Sequence, residues 1–445
     1  MTEAAARRVG RNGVELTRFD HMGEGFRSYE VHQRERVGQS TEKINGMDLA
    51  SAAYVRDPAP LLETLRENYP CYLDWANNCY WITRYDDVTS IFRDDANFET
   101  RSKLWAYGLE GFGRDLRDEP VVRSAWAQAL VTGIGPVAER IVARLDPERS
   151  DLATEWAAAL PVEWLVAALD VPEDDADVFA LRYRQAQRGV GWDGTARDRG
   201  ERALHELVAY FEPILKERSK SDAPDLVTAV AAAGGDARDL ITTLLESDHE
   251  TLHGALSNLV ALLLSSPNAL ATVRGDRRRL KIAYLETLRH SPPTITTDRY
   301  TRHEVERFGR LIPAGAQLRL SALAANRDPR LFADPDRFVV DRRDICHREA
   351  RGQYRADGLP AGIAFGLGPP SLHPAVPEDR PPSPYALVRD AAVLATTALL
   401  DVAPDLEIRG DAAPEIRCLT IGGTYTCWSL PVRWTQRTST RESKS

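Results

Sequence analysis

Ala361-Gly362-Ile363-Ala364-Phe365-Gly366-Leu367-Gly368-Pro369-Pro370-Ser371-Leu372-His373-Pro374 is the most telling segment of the chain. Two glycines one residue apart after an aromatic residue require backbone that turns sharply or passes close to something. A Gly-x-Gly opening suggests a nucleotide loop, and three features exclude one. No Lys-Ser or Lys-Thr follows, no third glycine falls in place, and Pro369-Pro370 blocks a normal helix start.

The chain around it has an ordinary globular composition, 43% hydrophobic and 28% charged, enough to bury a sizeable core. A net charge of -9 argues against nucleic acid or an anionic membrane as partner. Residues 1–36 are polar and contain no apolar leader. The apolar run 259–264 is too short to span a bilayer. Cys71, Cys79, Cys346, Cys418 and Cys427 are odd in number and scattered, so neither a disulfide frame nor a zinc site is expected. A cytoplasmic protein without a structural metal is the expectation.

Residues 1–50 are rich in Arg, Glu, Gly and Gln. They read as an extension, partly disordered or docked as a helix near 13–26, either a floppy tail or a partner-binding arm. Asp57-Pro58 opens a helix, and Tyr80-Trp81-Ile82-Thr83 alternates like a strand. Tyr85-Asp86-Asp87-Val88 starts a helix with two acids at its positive end. Helix-period segments fill 150–235, and the glycines and charges of 185–199 read as a mobile loop. Residues 239–264 form the most strongly helical segment. Strands early and late with helices between them predict a mainly α fold with small β-sheets, an α+β arrangement. Residues 51–434 make one domain, and 435–445 a disordered tail.

The opening stretch resembles the haem-binding loop of the cytochrome P-450 superfamily, Phe-Gly-x-Gly-x-(His/Arg)-x-Cys-x-Gly. Phe365, Gly366 and Gly368 match and keep the structural frame. Pro370 stands in the basic position, Leu372 in that of the iron-ligating cysteine, and Pro374 in that of the last glycine. Leucine has no lone pair to offer iron. His373, beside it, is a candidate substitute ligand, although an exposed loop histidine is the plainer reading.

The resemblance spans about 55–434. Glu286-Thr287-Leu288-Arg289, followed by Pro292-Pro293 and by Ala324-Ala325-Asn326-Arg327-Asp328-Pro329, is similar to the family's structural region. There the Glu and Arg, on one helical face, join a downstream arginine, here Arg337 or Arg342, in a buried ion cluster. The family's His-Thr-Arg-Leu-Arg at the haem propionates becomes Val121-Val122-Arg123-Ser124-Ala125, which lacks both propionate partners. Arg299 stands where many members contact a propionate, with a surface arginine the commoner explanation. The family's Ala-Gly-x-(Glu/Asp)-Thr becomes Ser247-Asp248-His249-Glu250-Thr251. Acid and alcohol survive at Glu250 and Thr251, while Asp248 sets a costly carboxylate where the iron site should be open. His249 points about 100° away from it on a helix.

This resemblance implies a cytochrome P-450-like fold and a haem-free chain with no cofactor. Its likeness is to the auxiliary proteins that activate deoxysugar glycosyltransferases in bacterial polyketide biosynthesis. The expected protein is non-catalytic, with a glycosyltransferase as partner in a heterocomplex. Two alternatives stay open. One is a haem-independent enzyme using Asp248, His249, Glu250 and Thr251 for acid/base chemistry in the vacated pocket. The other is a haem monooxygenase with an atypical axial ligand, His373 or Cys346. A charged, Pro-rich insert at 375–384 precedes the helix that resumes at Tyr385, and 425–432 closes the chain as a hairpin. The basic run Arg277-Arg278-Arg279-Leu280-Lys281 is a solvated face or a dock for an acidic partner.

Overall fold

The computed structural model describes residues 44, 48–75, 77–190, 194–221, 225–247, 249–345, 360, 362–363, 384–410, 412–418 and 423–435. Helices α1 (Ala52–Arg56) and α2 (Ala59–Asn68) begin at polar side chains. The Tyr54 amide donates to Ser51 Oγ, and the Ala59 amide to the Asp57 carboxylate. Next come β1 (Tyr72–Asp74) and β2 (Cys79–Ile82), antiparallel with Leu73 opposite Tyr80. Helix α3 (Tyr85–Phe92) follows, its first turn carrying Asp86 and Asp87 as the dipole favours.

Strand β3 (Phe98–Glu99) and the short helix α4 (Lys103–Tyr107) lead into the helical body. This consists of α5 (Pro120–Ala143), α6 (Leu160–Ala168), α7 (Glu173–Arg188), α8 (Gly194–Arg218), α9 (Leu226–Ala232), α10 (Ala237–Glu246), α11 (His249–Leu264), α12 (Pro267–Gly275) and α13 (Leu280–His290). Strands β4 (Thr296–Thr301), β5 (Val305–Arg307), β6 (Arg310–Ile312) and β7 (Gln317–Ser321) return the chain to the sheet. The main sheet has the order β1-β2-β7-β4-β3. Strands β2 and β7 pair in parallel, Trp81 opposite Arg319, so the helical body is itself the crossover that a parallel pair requires. Helices α14 (Ala322–Asn326) and α15 (Pro384–Val402) complete the described helices.

One core cluster joins α5, α11, α13 and α15 around Trp156, Leu259, Tyr284 and Leu399. A second joins α7, α8, α9 and α10 around Phe179, Leu204, Phe211 and Leu240. Each such side chain, removed from water, contributes roughly 1.5–3 kcal/mol. The mainly α architecture with small sheets is therefore as expected.

Three local expectations are corrected. Residues 185–199 are largely helical: α7 runs to Arg188 and α8 starts at Gly194, because apolar faces on both helices meet, Phe179 against Phe211. The segment 239–264 is two helices, interrupted at Ser247 where the N–H caps back onto the Leu244 carbonyl. At the chain's end β10 (Tyr425–Cys427) pairs with β9 (Ile416–Cys418), and β11 (Val432–Arg433) with β8 (Glu407–Ile408), so 425–432 is not one hairpin. The expected helix at 13–26, the insert 375–383 and the tail beyond 435 lie outside the described residues. Among the described residues no single helix is long and apolar enough to cross a membrane.

Candidate functional site

Glu286 and Arg289 lie one turn apart on α13, and their side chains are fully buried. Arg289 Nε donates to Glu286 Oε2 at 2.7 Å and Nη2 to Oε1 at 2.8 Å. Nη1 reaches the carbonyls of Asn326 and Pro335, and Nη2 that of Arg337. Two candidates stood for the third member of the cluster, and the geometry selects Arg342, whose Nη1 is 3.9 Å from Glu286 Oε1. Arg337 contributes only its carbonyl, and its side chain is 74% exposed. Asn326 then fixes the start of the loop quoted at the outset. Its Oδ1 accepts the Ile363 amide at 2.7 Å, and its Nδ2 donates to the carbonyls of Ile363 and Leu288. Gly362 packs on Arg289, where a Cβ would sit 3.3 Å from the Arg289 Cβ. Phe365, Gly366, Gly368, Leu372 and His373 lie outside the described residues.

The break between α10 and α11 holds the acid–alcohol motif. Asp248 and the side chains of His249 and Glu250 are outside the described residues; Thr251 is buried. Around the break stands a polar network that the sequence did not announce. The Lys103 amide donates to Glu246 Oε1 at 2.6 Å, so a carboxylate from α10 caps the N-terminus of α4. Lys103 Nζ donates to Gln187 Oε1 at 2.8 Å, and Gln187 Nε2 to the Tyr183 hydroxyl and the Leu245 carbonyl. Arg117 Nη1 donates to the Glu246 carbonyl at 2.6 Å. Burial pushes the Glu246 carboxyl above its ordinary value, opposed by the charges of Lys103 and Arg117.

At the expected propionate wall, Arg123 on α5 pairs with Asp118 and donates to the Arg117 carbonyl, so it is engaged within its own segment. Arg299 is different, and its reading as a surface arginine is corrected. It is only 9% exposed, lies 4.8 Å over the Phe92 ring, and donates to the Asp298 carbonyl. No described carboxylate pairs with it. Burial pulls its guanidinium down to about 10, partly offset by Asp95 and Asp298. A buried cation with one carbonyl partner is poorly compensated, and an anion such as a haem propionate fits it.

The four described cysteines, Cys71, Cys79, Cys418 and Cys427, are buried, three of them within β2, β9 and β10. Cys346 is outside the described residues. Among the described residues no group of three or more His, Cys, Asp or Glu could hold a metal ion. The three arginines of the basic run pair within the chain, Arg277 with Asp401, Arg278 with Asp276 and Arg279 with Asp341.

The family model for Cytochrome P450 matches residues 280–348, the segment of the buried ion cluster. The chain is 29% identical over 341 residues to the cyclomarin C epoxidase CymV of Salinispora arenicola, covering 69% of this chain and 83% of that protein. It is 29% identical over 297 residues to the cytochrome P450 monooxygenase PikC of Streptomyces venezuelae, covering 64% of each. The ligand-free structure of cytochrome P450 TbtJ1 superposes with a TM-score of 0.69 at 22% identity, over 85% of this chain and 97% of that one. The open form of EryK from S. erythraea gives 0.67 at 24%, over 86% and 97%. These relatives correct the expectation of a chain without cofactor: the proteins it matches are cytochromes P450, a haem family. The fold is that of the cytochromes P450, and over 69% of its length the chain is similar to a curated member of that kind, the family model matching residues 280–348.

Proposed function

We propose that this chain serves bacterial natural-product biosynthesis as the auxiliary partner of a glycosyltransferase, activating it by binding. One observation carries the reading. Leu372 occupies the position of the iron-ligating cysteine, in a chain whose buried Glu286–Arg289–Arg342 cluster keeps the family frame intact. Haem bound in the cytochromes P450 supplies oxygen activation, which depends on electron push from a cysteine thiolate. Arg299 would hold a propionate, and the described cysteines are committed to the core. Such a chain keeps a rigid shape and offers it to a partner, whose population shifts toward a competent conformation. The setting is supported by its relatives: one is a cyclomarin C epoxidase, and a mutant of the fold neighbour EryK is known in complex with erythromycin B. Turnover by a purified glycosyltransferase from the same biosynthetic setting, with and without this chain, tests the proposal. Equal turnover removes it.

A second reading, a haem monooxygenase with an atypical axial ligand such as His373, is favoured by the buried Arg299, which pairs with no carboxylate among the described residues. An absorption spectrum of the purified protein and of a His373→Ala variant separates the two. A low-spin Soret band that depends on His373, together with substrate oxidation, supports the second reading.

A further inference from the structure

We infer that a cleft between α2 and α14 binds a small zwitterion of the α-amino acid class, taking its carboxylate on Arg66 and its ammonium group on Glu63. The cleft has a volume of about 300 Å³. One wall is the face of α2 that carries Leu62, Glu63 and Arg66, neighbours at helical spacing. The other is Leu323 and Ala324 of α14, with Arg327 just beyond. Leu62 and Leu323 are buried and give the cleft an apolar base. Glu63 and Asp57 are exposed and stand at its mouth.

Opposite charges meet here without cancelling. Arg66 is 4% exposed. Its Nε pairs with Glu67, and its Nη1 donates to the Ala324 carbonyl at 3.1 Å, which fixes the guanidinium in place. Its Nη2 donates a hydrogen bond to no described residue. Glu63 stands one turn earlier, at a spacing that usually pairs acid with base, yet it pairs with no described cation. Across the cleft Arg327 is pinned by two bonds to the His290 carbonyl, and its partner Asp336 is exposed. A lone anion would be repelled by the carboxylates of Glu63 and Asp57, and a lone cation by the guanidinium groups of Arg66 and Arg327. A molecule that carries both charges a few ångströms apart satisfies both walls. The free guanidinium nitrogen gives its carboxylate a charge-assisted bond, and Leu62 and Leu323 receive a short apolar side chain.

Ligand-observed NMR titration of the full chain tests the site with L-valine, isobutylamine and isovalerate. The amine is valine without its carboxylate, and the acid is valine without its ammonium group. L-Valine should bind at least about tenfold more tightly than either, since each of them forfeits one charge-assisted bond. Glu63→Gln should weaken valine binding about tenfold without weakening isovalerate. Arg66→Gln should weaken valine binding to a similar extent without weakening isobutylamine, with circular dichroism confirming that this variant is folded. Glu63 is exposed, so its variant keeps the test decisive if Arg66→Gln fails to fold. Absence of valine binding, equal affinity for the three molecules, or valine affinity unmoved by Glu63→Gln would each overturn the inference.

Discussion

Changing Glu286 to Gln is expected to destabilise the chain by about 3–5 kcal/mol, the usual loss when one partner of a buried ion pair is removed. The geometry explains the size. Arg289 is fully buried, and among the described residues its two bonds to Glu286, at 2.7 and 2.8 Å, are its only contacts with a negative charge within ion-pair distance. Its remaining bonds go to carbonyl dipoles of Asn326, Pro335 and Arg337. Arg342, a second cation 3.9 Å from the same carboxylate, would be left facing Arg289 without it. With an unfolding entropy of about 2.1 cal/mol/K per residue over roughly 400 residues, that loss lowers Tm by about 4–6 °C. Urea unfolding followed by far-UV circular dichroism measures the difference directly. Glu63→Gln is the control: Glu63 is exposed on α2, and its replacement should change stability by less than about 0.5 kcal/mol. A Glu286→Gln midpoint indistinguishable from that control would refute the argument that the pair organises α13 and the segment behind it.

Three further outcomes are expected. Asn258→Leu should cost about 2–4 kcal/mol in the same unfolding assay, because the buried Asn258 bonds the Cys427 amide and the carbonyls of Ser291 and Tyr425. Arg299→Leu should weaken hemin binding at least about tenfold in a Soret titration, the loss of one charge-assisted bond; unchanged affinity would show that the guanidinium faces no propionate. His290 is held down to about 3 by burial and by the charges of Arg327 and Arg289, with Nε2–H donating to the Asp336 carbonyl. From pH about 6.5 down to about 3 the unfolded chain binds a proton that the folded chain refuses, so His290 makes stability fall as pH falls across that window. An imidazole NMR titration midpoint near 6.5 would contradict this placement.

The fold could be read because its strongest signals are local or highly patterned. Asp57-Pro58 and Tyr85-Asp86-Asp87 mark helix starts with their own side chains, and Glu286 and Arg289 sit at a helical spacing that survives as a buried pair. The functional side was less readable because it depends on what faces what. Arg299 looks like any arginine in a strand until its burial, and the lack of a paired carboxylate among the described residues, are known. The loop expected at 185–199 failed for a related reason: Gly189 looks like a breaker, yet a Cβ there would fall on Tyr107. The basic run at Arg277 looked available to a partner because its acids, Asp341 and Asp401, are distant in sequence.

The two-way clasp of Asn326 on Ile363 reaches beyond the stability of α14. It secures the polypeptide just before the signature segment begins, using only main-chain atoms of the clasped residue. Side chains beyond Ile363 can therefore be exchanged without loosening either of these ties. Such an arrangement tolerates sequence change in the segment that follows, because the tie depends on no side chain of Ile363.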